Sequence, residues 1–479
     1  MAFTGFRKFK TALLLAAAIG GVLPASAAWA QESAQITQEV RELLGQYHVS
    51  GIKDSQLKGK SIEEMIDLLK KKDPYTVYFT KEELKKFTNN LESNYYGIGA
   101  QMGMDEQGIY VDKVFEGSPA EKSGLKKEDY IVKVEGVSAQ GKSLDEVVNT
   151  ILGPDGTKVK LTIDREGKKM DMTITRGMIQ MPNVTSYLLT PSIGYMDIDS
   201  FSSDSDELFQ AHLDALQEMG MTSLVIDLRD NLGGLVESAQ NIASNFVEQG
   251  VFAHTKNRDG QDNPIEITKG SKLNVPVYVL MNENSASASE MLAGALQDYG
   301  AAKVVGMQSY GKGSMQSVYS LSDGSALKVT IEEYLTPSLK PVNGVGIHPD
   351  VKSDGYTAQM ITALRKAGLT EFRVEVGKHD VTLNQIEVTE PHRPIREKGQ
   401  VYVASRTLAA LIGADIEWNQ GIQGVEIHLS PGSKSTFALS AGSLLLKDGT
   451  SYINLDKFDD KYPQLQWTDA NNLLQLDIE

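Results

Sequence analysis

The chain has no cysteine among its 479 residues. Thiol catalysis, thiolate metal sites and disulfides are therefore excluded. Histidine is scarce, with seven scattered copies and no His-Glu-x-x-His or similar ligand spacing. No metal and no cofactor is expected. Basic residues are outnumbered, 47 Lys and Arg against 63 Asp and Glu, for a net charge of −16. That balance argues against nucleic acid as a main partner, because phosphate binding needs basic surface. Long apolar runs are also lacking, except at the start. There Arg7, Lys8 and Lys10 precede the apolar run from Thr11 to Leu23, then Pro24 and Ala28-Trp29-Ala30. This is the pattern of a signal peptide over residues 1–30, with cleavage after Ala30. The run is short for a full span, so cleavage is favoured over an uncleaved anchor. The expected location is extracytoplasmic, secreted or held at the outer face of the cell membrane or cell wall.

The length exceeds one compact core, so three or four domains are expected. The fold class is α/β multidomain. Residues 31–90 read as a helical N-terminal region, with Val40, Leu43, Leu44, Met65, Ile66, Leu68 and Leu69 at helix-like spacing. Thr80 and Glu83 have capping-box spacing. So short a region buries little alone and is expected to pack on the rest of the chain or on a second copy, as in a homodimer. From Tyr96 the period changes to two, and a helix is expected from Ser143 to Leu152. The phrases GSPAEKSGLKKEDYIVKVEG and GPDGTKVKLTI resemble a PDZ domain, placed at 91–180. The resemblance implies that Ile98, Gly99 and Ala100 form a loop for a peptide's terminal carboxylate.

Residues 181–370 alternate strands and helices and are read as an α/β core. Val277 to Met281 is a buried-type strand, and the next helix carries Ala288, Met291, Leu292, Ala295 and Leu296 on one stripe. A hairpin is expected to turn at Ser322-Asp323-Gly324. Over 378–479, KGQVYVASRTLAALIGADIEW aligns with KDGTSYINLDKFDDKYPQLQW, Tyr402 with Tyr452 and Trp418 with Trp467. Two similar units of about 50 residues are expected to pack as one small domain. This segment resembles the copper amine oxidase N-terminal-like domain. With no cluster of metal ligands, it is read as a binding or spacing module, with cell-wall or membrane-surface association.

The chemistry is carried by two segments, Ser285-Ala286-Ser287-Ala288-Ser289-Glu290 and Tyr310-Gly311-Lys312-Gly313-Ser314-Met315-Gln316. Taken alone, Ser287-x-x-Glu290 is the spacing of a helix cap, and a lysine between glycines is a solvated turn. A serine at a strand-to-helix junction, however, lies where the helix N-terminus favours negative charge. Backbone amides there can hold an oxyanion. The hydroxyl still needs a base. His348 in GVGIHPD is the nearest histidine and is a weak candidate. Lysine can serve if burial brings it from about 10.4 to near neutrality, at a cost of about 4 kcal/mol.

NENSASASE followed by YGKGSMQ, with Lys312 twenty-five positions after Ser287, resembles the carboxy-terminal processing, or tail-specific, proteases. DLRDNLGG, GVGIHPD and the preceding PDZ segment fit the same family. The resemblance implies Ser287 as nucleophile, Lys312 as general base and Gln316 as the residue orienting the lysine. It implies an oxyanion hole from the amides of Gly233 and Ala288. The expected substrate is a protein or peptide with a free apolar C-terminus. Where the family has GNPGG, this chain has Asp230-Asn231-Leu232-Gly233-Gly234, and leucine in place of proline alters a loop beside that hole. Ser285 and Ser289 are the rival nucleophiles. Rival functions are a catalytically silent PDZ-bearing scaffold and a serine protease with a histidine triad.

Overall fold

The computed structural model describes residues 25–91, 94–180, 183–190, 192–388, 390 and 392–478. Residues 1–24 of the expected leader, 1–30, lie outside them. No helix among the described residues is long and apolar enough to cross a membrane.

The N-terminal region is only partly helical. Helices Ala25–Tyr47, Asp54–Leu57, Ile62–Lys70 and Lys81–Leu91 are interrupted by a strand, Val77–Phe79. Propensity misses this strand because its pairing is tertiary. It runs antiparallel to Ala326–Leu335, with Val77 opposite Lys328 and Phe79 opposite Ala326. Ile36, Val40 and Leu44 recur one helical turn apart and are buried with Leu57, Met65 and Leu69. They pack on Leu321, Leu327 and Val329 of the core hairpin. The region therefore buries its apolar face on its own chain. Thr80 and Glu83 make the anticipated reciprocal cap, the Thr80 N–H donating at 2.9 Å and the Glu83 N–H at 3.3 Å.

The PDZ fold is a sheet in the order Ala100–Asp105, Gly108–Val114, Tyr130–Val134, Lys158–Arg165, Lys168–Thr175. Helix Leu144–Ile151 begins at Ser143, which accepts from the Glu146 N–H. Strand Ala100–Asp105 is at the sheet's end, so one edge is open for an added strand.

The core sheet has the order Val184–Leu189, Ile193–Ile198, Ser223–Asp227, Val277–Met281, Lys303–Gly306, Val351–Lys352. The first pair is antiparallel and the rest are parallel. A parallel sheet must be covered on both faces. Leu224 and Ile226 accordingly face helices Ser205–Glu218, Val236–Ala243 and Ala288–Asp298, while Val225 faces helix Tyr356–Lys366 and the C-terminal domain. The hairpin Ser314–Ser320/Ala326–Leu335 turns where expected, with Gly324 N–H bonded to the Leu321 carbonyl.

The C-terminal repeat is built from two strand–helix–hairpin units. Gln400–Ala404, Ser405–Leu411, Asp415–Asn419 and Gly424–His428 match Thr450–Asn454, Leu455–Asp459, Leu465–Ala470 and Leu473–Ile478. Their leading strands pair antiparallel, Val403 opposite Ile453, which buries Tyr402 and Tyr452 in one cluster. Strand Phe372–Val376, which lies before the expected boundary at 378, bonds to Leu473–Ile478 and so shares a separate sheet with the hairpin of the second unit. The turn after it reaches the PDZ fold. His379 stacks on Tyr110 with ring centroids 4.0 Å apart and lies between Asp105 (3.0 Å) and Glu128 (2.7 Å). Lys378 donates to the Tyr130 hydroxyl at 2.7 Å.

Candidate active site

Ser287 ends the turn between strand Val277–Met281 and helix Ala288–Asp298. Its φ of 58° and ψ of −115° are unusual for a side-chain-bearing residue. Such a conformation costs about 1–3 kcal/mol and persists only when neighbours enforce it. The enforcing bonds are visible. The Ser287 N–H donates to Glu290 Oε2 at 2.8 Å, and its carbonyl accepts from the Tyr334 hydroxyl at 3.0 Å. The Ala286 N–H and the Ser289 hydroxyl both donate to the Asn231 carbonyl at 2.9 Å. The result is a half-buried serine side chain that makes no cap bond to its helix.

The two rival serines are spent on structure. Both are fully buried. Ser285 Oγ donates to the Leu228 carbonyl at 2.7 Å, and Ser289 Oγ to that of Asn231.

Glu290 is the centre of the site, and sequence reasoning saw it only as a cap. Its carboxylate is fully buried and accepts four bonds. Oε2 takes the N–H groups of Ser287 and Lys312, at 2.8 and 2.9 Å. Oε1 takes the Ser309 hydroxyl at 2.5 Å and the Gly311 N–H at 2.7 Å. Burial pushes the carboxyl up, and these bonds oppose that push. Accepting four and donating none marks an ionised carboxylate. One buried charge thus ties the Ser287 turn to the Lys312 loop.

Lys312 is half-buried, with its Nζ 5.0 Å from the centre of the Tyr75 ring. Burial holds its ammonium below the usual lysine range, helped by the charge of Lys328 and opposed by Glu290 and Asp73. The flanking glycines are required for contact. A Cβ on Gly313 would lie 2.1 Å from the Asn343 N. Among the described residues the Ser287 and Lys312 side chains do not hydrogen-bond each other; Glu290 is their link.

Two expected contacts differ. The Gln316 amide donates to Ser314 Oγ at 3.0 Å and Thr330 Oγ1 at 3.3 Å, with no bond to Lys312. Gly233 does lie against Ser287, since a Cβ there would sit 2.8 Å from Ser287 Cβ and 2.9 Å from the Ala288 N. Its N–H, however, donates to Asn231 Oδ1 at 2.8 Å. Asparagine side chains form such turns with the amide two residues on, a competitor that a glycine-loop motif does not reveal. The Ala288 N–H opens its helix, where first-turn amides have no partner within the helix. His348 is exposed and lines a separate cleft with Gly306, Lys352 and Arg406.

In the PDZ fold, Ile98 is buried and Gly99 has φ +77°. A Cβ on Gly99 would fall 2.3 Å from Ser118 Cβ, so only glycine fits. The carbonyls of Ile98 and Gly99 accept from Ala120 (2.7 Å) and Phe115 (3.0 Å). Among the described residues their N–H groups donate to no backbone carbonyl outside the strands. With Ala100 they bound the start of the open-edged strand.

A strained serine at a strand-to-helix turn of a parallel sheet, beside a desolvated lysine and a peptide-binding type of domain, defines a serine peptidase. The model of peptidase family S41 matches residues 192–353, that of the PDZ domain 85–164, and that of the copper amine oxidase N-terminal domain 342–427. A probable CtpA-like serine protease of Staphylococcus aureus (strain bovine RF122 / ET3-1) is 35% identical over 356 residues, covering 73% of this chain and 70% of that protein. One from Staphylococcus haemolyticus (strain JCSC1435) is 36% identical over 312 residues, 64% of this chain and 62% of that protein. The solved photosystem II D1 C-terminal processing protease is 27% identical, with 67% of this chain and 92% of that chain covered and a TM-score of 0.45. The chain belongs to peptidase family S41, the C-terminal processing serine proteases with a PDZ domain.

Proposed function

We propose that this peptidase works through a Ser287–Lys312 dyad and selects proteins by exposed apolar C-terminal tails. The neutral Lys312 amine takes the Ser287 proton, and the alkoxide attacks the peptide carbonyl carbon. Lys312 then gives that proton to the leaving amine nitrogen as the C–N bond breaks. Water, deprotonated by the same amine, releases the acyl group. The Ala288 N–H, at the positive end of its helix, stabilises the oxyanion. The Gly233 N–H joins it once Asn231 lets go, and Gln316 turns from Ser314 and Thr330 to orient the amine. A small rearrangement therefore precedes acylation. The tail adds as a strand to Ala100–Asp105, its carboxylate on the amides of the Ile98–Gly99–Ala100 loop. The leader pattern supports an exported protein, with the C-terminal repeat serving attachment at the cell surface.

The observation that carries this reading is Glu290 Oε2, which accepts from the backbone of both Ser287 and Lys312. The test is cleavage of an unfolded protein with an apolar free C-terminus. Folded Ser287→Ala and Lys312→Ala proteins are expected to be inactive. Undiminished cleavage by Lys312→Ala would return the base to a histidine.

A further inference from the structure

The N-terminal region reaches the lysine itself. Its turn Asp73-Pro74-Tyr75-Thr76 lays the Tyr75 ring over Lys312 Nζ, with centroid and nitrogen 5.0 Å apart. Two further rings of the region, Phe79 and Phe87, lie 5.6 and 5.2 Å from the neighbouring Lys328 Nζ.

Behind Tyr75 stands a buried polar network. Asp73 Oδ2 accepts from His48 Nε2 at 2.9 Å and Thr76 Oγ1 at 2.5 Å; Oδ1 accepts from the Tyr75 N–H at 3.0 Å and Thr330 Oγ1 at 2.9 Å. The Ser50 N–H donates to His48 Nδ1, which leaves Nε2 as the protonated nitrogen facing Asp73. The Thr330 N–H in turn donates to Thr76 Oγ1 at 3.0 Å, and Thr330 Oγ1 is the atom that the Gln316 amide approaches. His48, Asp73, Thr76 and Thr330 are all buried. Apolar packing on Leu327 and Val329 already fastens the region to the hairpin. A fully satisfied polar network adds a fixed direction, which packing alone does not specify.

We propose that Tyr75 is a positioning residue for Lys312, fixed in place by His48, Asp73 and Thr330, so that the N-terminal region completes the active site. This rests on the reading of Lys312 as the base. The ring covers one side of the amine and keeps water from it. The charges facing Lys312 are Lys328 from the hairpin, Glu290 from the helix and Asp73 from the turn, with the ring of Tyr75 beside them. Burial is the largest of these influences, and it disfavours the ammonium. The π face itself favours the cation, the smaller and opposite effect. Opening the cover therefore admits water and raises the pH at which the amine becomes neutral.

The test is the rate at which a fluorophosphonate labels Ser287 in the full chain, measured between about pH 6 and 10 around the lysine titration. Tyr75→Ala is expected to move the acid limb up by about one pH unit, roughly a tenfold slower rate on its acid side. Tyr75→Phe, which keeps the ring, restores the limb. Should Tyr75→Ala not fold, Thr330→Val removes one anchor of the turn at constant volume and reads the same limb. A lower rate at every pH with an unmoved limb, in the variant that folds, overturns the proposal and makes Tyr75 a filler. Lys312→Ala is included throughout. If it labels like the wild type, the base assignment fails and takes this inference with it. If it is inert while the limb stays put, the inference alone fails.

Discussion

Replacing Glu290 by glutamine tests the junction that joins the Ser287 turn to the Lys312 loop, the proposed nucleophile and base. The carboxylate accepts four bonds, three from backbone N–H groups and one from a hydroxyl. A carboxamide has one acceptor oxygen, and its NH2 must face donors on the other side. With the oxygen kept on Ser287 and Lys312, the Ser309 hydroxyl can rotate to accept, but the Gly311 N–H is left against another donor. Hydrogen bonds to charged groups contribute about 1.5–3 kcal/mol each, and an orphaned buried donor costs about 1–3. Relief from burying a charge offsets part of this, so the net loss is about 2–4 kcal/mol. The turn holds Ser287 in a strained conformation, and a displacement near 1 Å costs about a hundredfold in rate. Glu290→Gln is therefore expected to lower kcat/KM about a hundredfold. The acid limb should move the other way from a simple loss. Glu290 is one of two charges that hold the Lys312 ammonium up, so its removal carries the limb to lower pH. Urea unfolding reads the first effect and pH–rate profiles the others. A folded variant within threefold of the wild type and with an unmoved limb would refute the tie between the two segments.

Gly99→Ala puts a methyl 2.3 Å from Ser118 Cβ at φ +77°, and should abolish binding of an apolar-tailed peptide while the core stays folded. Fluorescence anisotropy reads this, and unchanged affinity would remove Gly99 from the carboxylate loop. Asp197 is pushed up to about 8 by burial and by the charges of Asp227 and Asp199, with Arg229 opposing. Its folded value exceeds the unfolded one, so its contribution to stability falls as pH rises from about 4 to 8. Asp197→Asn should then raise the melting temperature at pH 8 and leave it unchanged near pH 4; equal shifts at both would disprove the assignment. Burial pushes Asp73 up, but bonds from His48, Thr76, the Tyr75 N–H and Thr330 outweigh it and bring the carboxyl to about 2. That depressed value contributes about 2 kcal/mol, present above the unfolded value near 3.8 and lost as pH falls toward 2. Asp73→Asn should flatten this window in acid unfolding curves.

Much of the architecture was written locally. Ser143 with Glu146 and Thr80 with Glu83 cap helices in the structure as their spacing demands, because a cap needs only residues three apart. The apolar stripe on Ala288–Asp298 and the buried run at Val277–Met281 are likewise read from period alone. So is the internal repeat, since each copy repeats the same local order of strand, helix and hairpin. The motifs also located Ser287 and Lys312, though the residue types gave no reason to prefer Ser287 over Ser285 and Ser289. What distinguishes the three in the fold is Leu228 and Asn231, whose carbonyls, nearly sixty residues away in sequence, occupy the hydroxyls of Ser285 and Ser289.

Tertiary structure alone decided the rest. Strand Val77–Phe79 exists because Ala326–Leu335 offers an edge, and three residues carry no periodic signal of their own. Asn231 spends the Gly233 amide, and Gln316 faces Thr330, through short contacts that leave no pattern in composition. His379 has no marked neighbours in sequence, yet the fold sets it between Asp105 and Glu128 of the PDZ domain. Above all, spacing alone reads Glu290 as a cap and gives Tyr75 no role. Only the packing of three separated segments, 73–76, 285–290 and 309–312, brings the carboxylate against the backbone of both Ser287 and Lys312 and the ring over the lysine. Local periodicity fixes which face of an element is apolar; which polar atoms meet across those faces is set by how the elements dock.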